Sequence, residues 1–342
     1  MKKAIGLLLL FALLTYLVPF LGCLLPQEAK AKSEQAAPQT SESSPQSTPK
    51  TPVYDEAPLL ILDQGSGEVL SVPVKAFVMG AVAAEMPMTY PDEALKAQAV
   101  ASHSYALAVK ASADGSDESL KGAYFKANPA QRMGYITDEM MKTMWGDEYT
   151  DNYNRLNALV DEIIDKAVAY NGAAALCCYH AISAGTTESS EAVWGTAVPY
   201  LVSVPSTLDT TSDGYGATIS MTSQEMYESL VLGIDGIELS GEPAGWFGES
   251  TLDAAGYVHS VNVGSMTVSG TAIRSALSLR SAAFDVKFEN HEFTVTTRGY
   301  GHGVGMSQYG ASAMAKNGST WQEILAAYFP NTEIKTVKEL AA

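Results

Sequence analysis

Apolar and polar positions from residue 59 onward change their period several times, and each change marks a predicted element. Leu59–Leu62 and Gly67–Val72 are apolar or alternating segments separated by a polar turn at 63–66, which predicts two strands joined as a hairpin. A helix is predicted over Val74–Met86, and it stops before Pro87 because the residue preceding a proline is pushed out of the helical region.

Farther along the chain, helical and strand patterns mix without a regular alternation or an internal repeat. A second helix is predicted from Pro91 to about Ala111, with Asp92 and Glu93 at its positive end. Asn171-Gly172 is interpreted as the stop of a helix and a turn into a strand. The mixture predicts an α+β fold, in which helices and short antiparallel strands surround a substrate cleft. The other predicted elements are helices at about 138–145, 153–170, 218–232, 271–279, 311–316 and 319–328 and strands at 173–180, 258–263, 284–288 and 293–297.

The first 25 residues are typical of an export signal or a membrane anchor. Lys2 and Lys3 precede Ala4–Leu25, a run of 22 residues without a charge, which is long enough to span a hydrocarbon core of roughly 30 Å. Because a cleaved signal peptide has a shorter apolar centre, we predict a transmembrane helix that anchors a single-pass cell membrane protein, with an extracytoplasmic C-terminal domain. Cleavage after a small residue and lipid attachment at Cys23 are the alternatives.

The next segment is predicted to be a tether. Residues 26–58 are rich in Ser, Thr, Gln, Pro, Glu and Lys and contain almost no large apolar residue before Val53. Such a segment cannot bury enough surface to offset its ordering entropy, so we predict a flexible, disordered linker. The expected organisation is an anchor or signal at 1–25, this linker at 26–58 and a folded domain at 59–342.

The predicted domain carries the whole net charge of the chain. The formal net charge is −17 at pH 7, and residues 1–58 contain five Lys and five acidic residues, so the acidic excess lies in 59–342. The electrostatic field of this negative charge repels phosphate backbones, and we therefore exclude nucleic acid as a partner. With 46% hydrophobic residues and 3 Cys among 342, the composition is that of a globular protein that is neither disulfide-stapled nor wholly disordered.

One carboxylate stands out in the first predicted helix. Val78, Val82 and Glu85 share one helix face, so Glu85 continues an apolar stripe that should point into protein or a cleft. Glu85 also lies at the helix C-terminus, where the backbone dipole disfavours a second negative charge. Both effects raise the pKa of a carboxyl group toward the value that a general acid needs near neutral pH. The alternative is a glutamate that turns outward at a frayed helix end.

The densest cluster of glycine and polar residues is Arg298–Gly310. Glycines at every second position from 299 to 305 allow left-handed backbone and the close approach of a ligand, while His302, Ser307 and Gln308 offer hydrogen-bonding groups. The spacing does not match a dinucleotide-binding fingerprint, which needs a third glycine where Met306 stands. A Gly-rich loop with a structural histidine is the alternative interpretation.

A third group of candidate residues consists of two thiols and a nearby histidine. Cys178 and His180, two positions apart on a predicted strand, would share a face and could bind zinc with two more ligands, but the sequence lacks a partner pair with metal-ligand spacing. The other interpretation is buried thiols beside a structural or substrate-contacting His180. Because Cys177 and Cys178 are adjacent, we predict no disulfide between them.

Four blocks in a fixed order contain these features. A middle block, His180–Trp194, is similar to the pattern S-x-G-G-x-T-E followed by V-W. In order and spacing the blocks resemble the stage II sporulation protein D family, and the resemblance extends over about 59–335. The other three blocks are Val78–Pro87 (VMGAVAAEMP), Glu93–Ala101 (EALKAQAVA) and Gly301–Ala311 (GHGVGMSQYGA).

The resemblance implies a lytic transglycosylase that cleaves peptidoglycan glycan strands stripped of their stem peptides, and it implies no metal or other cofactor. The catalytic acid of the family is the glutamate of the A-A-E-M-P block, which corresponds to Glu85. One carboxylate is enough for this reaction because the C6 hydroxyl group of the sugar attacks in place of an external nucleophile. The product has a 1,6-anhydro-N-acetylmuramic acid end. The candidate substrate-binding residues are Gln98, His103, His180, Ser183, Thr187, His302, Ser307 and Gln308.

Two positions depart from the family pattern. Where the family has A-A-R-[ST]-[YF], Ala101–Tyr105 reads ASHSY, so His103, which titrates near neutrality, replaces a permanent cation. If the family arginine holds substrate, binding here becomes weaker or pH-dependent. Ala184 replaces a glycine of the S-x-G-G pattern.

The resemblance also implies a place of action and partners. The expected place of action is forespore engulfment during sporulation. The expected partners are the stage II sporulation proteins P and M, of which P removes the stem peptides first. The main alternative is a non-catalytic peptidoglycan-binding module that stimulates another hydrolase, as in the related amidase-enhancer proteins. The third functional hypothesis is a zinc-dependent amidase that uses His180, His302 and a cysteine.

Overall fold

The computed structural model describes residues 56–340. The predicted anchor at 1–25 and all but the last three residues of the predicted linker lie outside the described residues. Within 56–340, no helix combines the length and the apolar character needed to cross a membrane. At the start of this range, Glu56 and Ala57 already contact His103 and Lys110 of the second long helix.

The described chain forms helices and short strands in an irregular order, which confirms the predicted α+β class. The helices are α1 Val74–Glu85, α2 Asp92–Ser112, α3 Asp138–Trp145, α4 Tyr149–Ile163, α5 Ser190–Trp194, α6 Ser223–Gly233, α7 Gly270–Ala276, α8 Gln308–Lys316, α9 Trp321–Tyr328 and α10 Val337–Leu340. The strands are β1 Leu59–Asp63, β2 Val69–Val72, β3 Phe125–Ala127, β4 Lys166–Tyr170, β5 Ala173–Ala174, β6 Tyr179–His180, β7 Gly216–Thr222, β8 Phe247–Leu252, β9 Val258–Val263, β10 Met266–Ser269, β11 Phe284–Glu289, β12 Glu292–Arg298, β13 Met306–Ser307 and β14 Glu333–Thr336.

Two hydrophobic cores divide this part of the chain into a main lobe and an inserted lobe. The core of the main lobe is drawn from residues 59–201 and 304–329 and surrounds α1 and α2. The inserted lobe, residues 216–298, packs α6 and α7 with two three-stranded sheets around Met226, Ile273 and Phe293. Because the chain returns from the inserted lobe through residues 299–305, the Gly-rich segment lies at the junction of the lobes.

The strands form small sheets in which most neighbours are antiparallel, as predicted. In the inserted lobe β12 lies between β11 and β7, and β9 lies between β10 and β8. In the main lobe β4 lies between β14 and β5. Two pairs are parallel instead: β1 pairs with β3, and β6 pairs with β13. The second of these joins the Cys-His segment to the Gly-rich segment, which are far apart in sequence.

The hairpin and the two helices predicted at the start of the domain are confirmed. β1 and β2 pair antiparallel, with Leu59 opposite Val72. The α1 helix is buried along most of its length, and Met86 leaves it with φ −124° and ψ 139° directly before Pro87. The extended conformation of Met86 is the one that a following proline imposes.

The predicted helix over 153–170 is wrong in its last part. The α4 helix ends at Ile163, and 166–170 form strand β4. Asn171 and Gly172 have φ values of 51° and 81°, as a two-residue hairpin turn requires, and they place Tyr170 opposite Ala173. Asn-Gly is therefore a hairpin turn rather than a helix stop. The strand predicted over 173–180 is interrupted, and only its ends form β5 and β6.

The predicted helix over 218–232 is wrong in its first part, where the chain forms β7. The helix α6 begins only after Thr222, whose hydroxyl accepts from the backbone of Glu225 while the Glu225 carboxylate accepts from the backbone of Thr222. This reciprocal cap satisfies two of the unpaired N–H groups at a helix start. The spacing Thr-x-x-Glu thus fixes the boundary between strand and helix.

Gly80 lets α1 approach the loop before α3 without a side chain between them. Ile136 N donates to Gly80 O at 3.1 Å, and a Cβ atom on residue 80 would lie 2.2 Å from Ile136 O. The backbone of the loop therefore occupies the space that a side chain would need.

We predict that Gly80→Ala lowers the free energy of unfolding by about 1–3 kcal/mol, because the clash outweighs the preference of helices for alanine. Denaturant unfolding measures the change. Gly245→Ala is the matched control, because a Cβ atom there meets nothing within 4 Å, and we expect it to change stability by less than about 0.5 kcal/mol. A Gly80→Ala protein as stable as the wild type would contradict the close approach.

Candidate active site

Glu85 is the last residue of α1 and lies half-buried where the main lobe meets the Gly-rich segment. Its neighbours one and two turns back along the helix, Val82 and Val78, are fully buried. Burial penalises the charged form and raises the pKa of Glu85 to about 7. At neutral pH Glu85 is therefore protonated in a large fraction of the molecules.

One glutamine amide contacts this carboxyl group, and a second glutamine contacts the first. Gln308, the first residue of α8, donates from Nε2 to Glu85 Oε2 at 3.2 Å. The same nitrogen lies 3.4 Å from Gln98 Oε1, and Gln98 Nε2 donates to Ser102 Oγ at 3.0 Å. The hydrogen bond from Gln308 favours the carboxylate and lowers the pKa of Glu85, but the effect of burial is larger. The structure thus brings three residues from three separate blocks together.

The Gly-rich segment reaches this position by a backbone path that side chains would block. Glycines at 299, 301, 303 and 305 all have φ between 74° and 114°, in the region that favours glycine. A Cβ atom on Gly305 would lie 2.1 Å from Cys178 O. Immediately after Gly305, β13 pairs with β6, and α8 then begins at Gln308. The glycines therefore determine where the Gln308 amide is placed.

Asp209 is a residue of the candidate site that sequence reasoning missed. It is fully buried, and its carboxylate accepts from Ser183 N and from Ser307 Oγ, both at 2.8 Å. Asp209 thereby joins two serines that are predicted from the sequence to bind substrate. The burial of Asp209 raises its pKa, and the pKa of Tyr90 is raised by burial and by nearby Tyr309 and Asp209. Asp209 stands in a polar stretch without a motif, so no sequence signal distinguishes it.

The predicted histidines His180 and His302 lie together with Trp194. The ring centroids of His180 and His302 are 5.8 Å apart, and those of Trp194 and His302 are 5.3 Å apart. His180 Nδ1 lies 3.2 Å from Val304 O, while its buried Nε2 has no hydrogen-bond partner in the described chain. Burial lowers the pKa of His180 to about 4 and that of His302 well below its ordinary value. Both rings are therefore neutral at physiological pH.

Two other predicted residues have different surroundings. Thr187 Oγ1 accepts from Val204 N at 2.9 Å, and this side chain holds one loop of the main lobe to another. His103 is buried on α2, where Nε2 lies 3.2 Å from Glu56 Oε2. Five positions separate His103 from Gln98, so on a helix of 3.6 residues per turn they project about 140° apart. The His103 side chain faces the start of the described chain rather than the Gln98 amide.

The two thiols at 177 and 178 are reduced and buried. Burial raises the pKa of Cys178 to about 12 and that of Cys177 well above its ordinary value. Neither thiol is a reactive thiolate at neutral pH. Within 56–340, no three side chains of His, Cys, Asp or Glu are grouped so that they could hold a metal ion.

A cavity of about 400 Å³ lies between the two lobes, with His302 and Trp194 in the wall from the main lobe. We call it the inter-lobe cavity. Glu188 also lines it, and burial together with a hydrogen bond to Asp253 of the inserted lobe raises the pKa of Glu188 to about 8. Arg274 of α7 also lies in the wall. Sequence reasoning missed Asp253 and Arg274 because neither lies in a recognisable block.

Comparisons with known proteins agree with the resemblance of the blocks. The family model described as "Stage II sporulation protein" matches residues 63–171. Over 314 residues the chain is 34% identical to stage II sporulation protein D of Bacillus subtilis, covering 92% of this chain and 87% of that protein. It is 31% identical to stage II sporulation protein D of Bacillus amyloliquefaciens over 339 residues, covering 98% of this chain and 96% of that protein. It is 25% identical to the amidase enhancer of Bacillus subtilis over 307 residues, covering 75% of this chain and 40% of that protein.

We predict that Glu85→Gln stabilises the protein at high pH. The folded-state pKa of about 7 exceeds the ordinary value of 4.5, so the contribution of Glu85 to stability is fully present below pH 4.5 and is lost progressively as the pH rises to about 7. Above pH 7 the loss stays nearly constant. At pH 8 the variant should be more stable by about 2 kcal/mol, and this advantage should shrink toward pH 5. Denaturant unfolding at both pH values measures it.

The control for this comparison is Glu148→Gln, which removes an exposed carboxylate of the same lobe. It should not change the pH dependence of stability. Equal effects of Glu85→Gln at pH 5 and pH 8 would contradict the raised pKa.

Proposed function

The chain belongs to the stage II sporulation protein D family, and on this basis we propose that it is a peptidoglycan lytic transglycosylase. The observation that carries the proposal is the state of Glu85, a half-buried carboxyl group with a pKa of about 7 beside the amide of Gln308. A group with this pKa gives up and takes back a proton at neutral pH. The chemistry of the proposed reaction needs both actions from one residue.

In the first step, protonated Glu85 donates its proton to the glycosidic oxygen that follows N-acetylmuramic acid. The bond from C1 to this oxygen breaks, and positive charge develops on C1 and the ring oxygen of the sugar. The Glu85 carboxylate that remains accepts a hydrogen bond from Gln308, which moderates the cost of the buried charge.

In the second step, the C6 hydroxyl oxygen of the same sugar attacks C1 and closes the 1,6-anhydro ring. The hydroxyl proton passes to the Glu85 carboxylate, which restores the acid. No water is consumed, so a second carboxylate to activate water is unnecessary. The candidates to bind sugar hydroxyl and N-acetyl groups are Gln308, which contacts Glu85, and Gln98, which contacts Gln308. Ser183 and Ser307, which Asp209 joins, are the other two.

The proposal includes the setting of the reaction. The substrate is glycan stripped of its stem peptides, and the protein acts from the outer face of the cell membrane, held by the N-terminal apolar segment. It acts in forespore engulfment during sporulation, with stage II sporulation proteins P and M as its partners. The match to an amidase enhancer supports a second candidate, a non-catalytic module that binds peptidoglycan and stimulates another hydrolase.

We predict that Glu85→Gln abolishes cleavage of peptide-free glycan strands. The amide that replaces the carboxyl group has no proton to donate at the required strength, and the loss of general acid catalysis costs at least about 100-fold. Mass spectrometry of the products measures the outcome. The wild type and Glu148→Gln should both yield 1,6-anhydro-N-acetylmuramic acid ends.

Two other outcomes would reject the lytic reaction. Products with reducing ends from the wild type would mean that water is the nucleophile. Strands that stay intact but remain bound to the wild-type protein would favour the enhancer module.

We predict that kcat/KM on peptide-free strands is constant below pH 7 and decreases about tenfold per pH unit above it, because the protonated form of Glu85 starts the reaction. Gln308→Met removes the hydrogen bond that favours the carboxylate, and the decrease should then begin at a higher pH. A pH–rate profile of both proteins measures the midpoints. A midpoint that moves downward in Gln308→Met would show that another group controls the rate.

A further inference from the structure

The inter-lobe cavity has a volume and a wall that suit a small polar ligand. Its volume of about 400 Å³ lies within the range of roughly 300–1,000 Å³ that is usual for ligand sites. Both lobes contribute to the wall, and the His302 ring links it to the cluster that contains His180. The cavity is therefore a part of the site region that the proposed chemistry at Glu85 does not use.

Arg274 is a cation in this wall, and among residues 56–340 it has no acidic partner. Its Nε donates to Leu279 O at 3.3 Å, and no carboxylate of the described chain lies within salt-bridge distance of its guanidinium group. Burial lowers the pKa of Arg274, while nearby Tyr257 and Tyr300 raise it. A partly buried guanidinium group without a counter-ion is costly unless a ligand supplies the anion.

Other side chains of the wall suit a sugar. Trp194 lines the cavity, and its indole ring offers an apolar surface on which a sugar ring can pack. Glu188 and Asp253, which also line it, share a hydrogen bond and, with one proton between them, can both donate to and accept from hydroxyl groups. The indole ring and the carboxyl pair therefore suit the uncharged part of a carbohydrate, and Arg274 suits a negatively charged part.

We propose that the inter-lobe cavity binds an N-acetylmuramic acid unit whose free lactyl carboxylate pairs with Arg274. This inference rests on the proposed function, because it takes the ligand from a peptidoglycan strand. Where a stem peptide is attached, the lactyl carboxylate is converted into an amide, which has no charge to pair with Arg274. The cavity would thus select strands whose stem peptides have been removed.

The cavity is close enough to Glu85 for both to contact one strand. The six residue steps from His302 in the wall to Gln308 span at most about 20 Å even when extended, and Gln308 donates directly to Glu85. A short oligosaccharide covers this distance. Arg274 would then act on specificity while Glu85 acts on the bond that breaks.

The test measures ligand binding to the full-length Glu85→Gln protein, which cannot cleave. Calorimetric titration compares N-acetylmuramic acid, N-acetylglucosamine, the methyl amide of N-acetylmuramic acid and lactate. We expect N-acetylmuramic acid to bind roughly tenfold or more tightly than each of the other three, because only this ligand combines the sugar with the charge.

Adding Arg274→Gln should remove that preference, whereas adding Arg298→Gln should retain it. Arg298 is the matched control because it lies in the same lobe and pairs with Asp285. Thermal unfolding shows whether each variant is folded, and Arg274→Lys, which keeps the charge, should retain part of the preference. Equal binding of all four ligands, or a preference that survives in folded Arg274→Gln, would overturn the proposal. Lactate that binds as tightly as N-acetylmuramic acid would also overturn it.

The two proposals can fail separately. If the wild type cleaves no glycan but the Arg274-dependent preference is present, the lytic reaction is wrong and the sugar site is correct. If the wild type forms 1,6-anhydro ends and the preference does not depend on Arg274, the cavity assignment is wrong and the reaction is correct.

Discussion

The site depends on the burial of one carboxyl group at the end of a buried helix. The main lobe surrounds α1 on most sides, and Pro87 ends the helix so that Glu85 is its last residue. The low polarity around Glu85 raises its pKa to about 7, and Gln308 limits that rise with a single hydrogen bond. Had a cation stood at position 308, the carboxyl group would be ionised at neutral pH and could not act as an acid.

The remaining features bring Gln308 to this carboxyl group. The chain returns from the inserted lobe through four glycines with positive φ, and the β6–β13 pair then sets the start of α8. Asp209 fixes the same region by accepting from Ser183 and Ser307. Insertion of the second lobe also creates the inter-lobe cavity. The substrate specificity that we propose for this cavity therefore depends on the same insertion.

Local patterns in the sequence predict the parts of this arrangement that are local. The proline stop and the apolar stripe predict α1 and its carboxylate, and the order of the blocks indicates the family. The interpretation of Asn171-Gly172 as a helix stop is wrong because the same dipeptide ends helices and turns hairpins, whereas the predicted turn into a strand at Ala173 is confirmed. The residues before the dipeptide form a strand that also pairs with β14, a contact that the local sequence does not reveal. The roles of Asp209, Asp253 and Arg274 are not predictable from sequence, because each depends on contacts between segments that only the fold brings together.

The most direct test of this account is a titration of the Glu85 side chain by carbon-13 NMR, with Glu85→Gln used to assign its carboxyl resonance. The account predicts a midpoint near pH 7 in the wild type, moving higher in Gln308→Met. A midpoint near the ordinary value of 4.5 would mean that Glu85 is ionised at neutral pH, and it would contradict the role of a general acid.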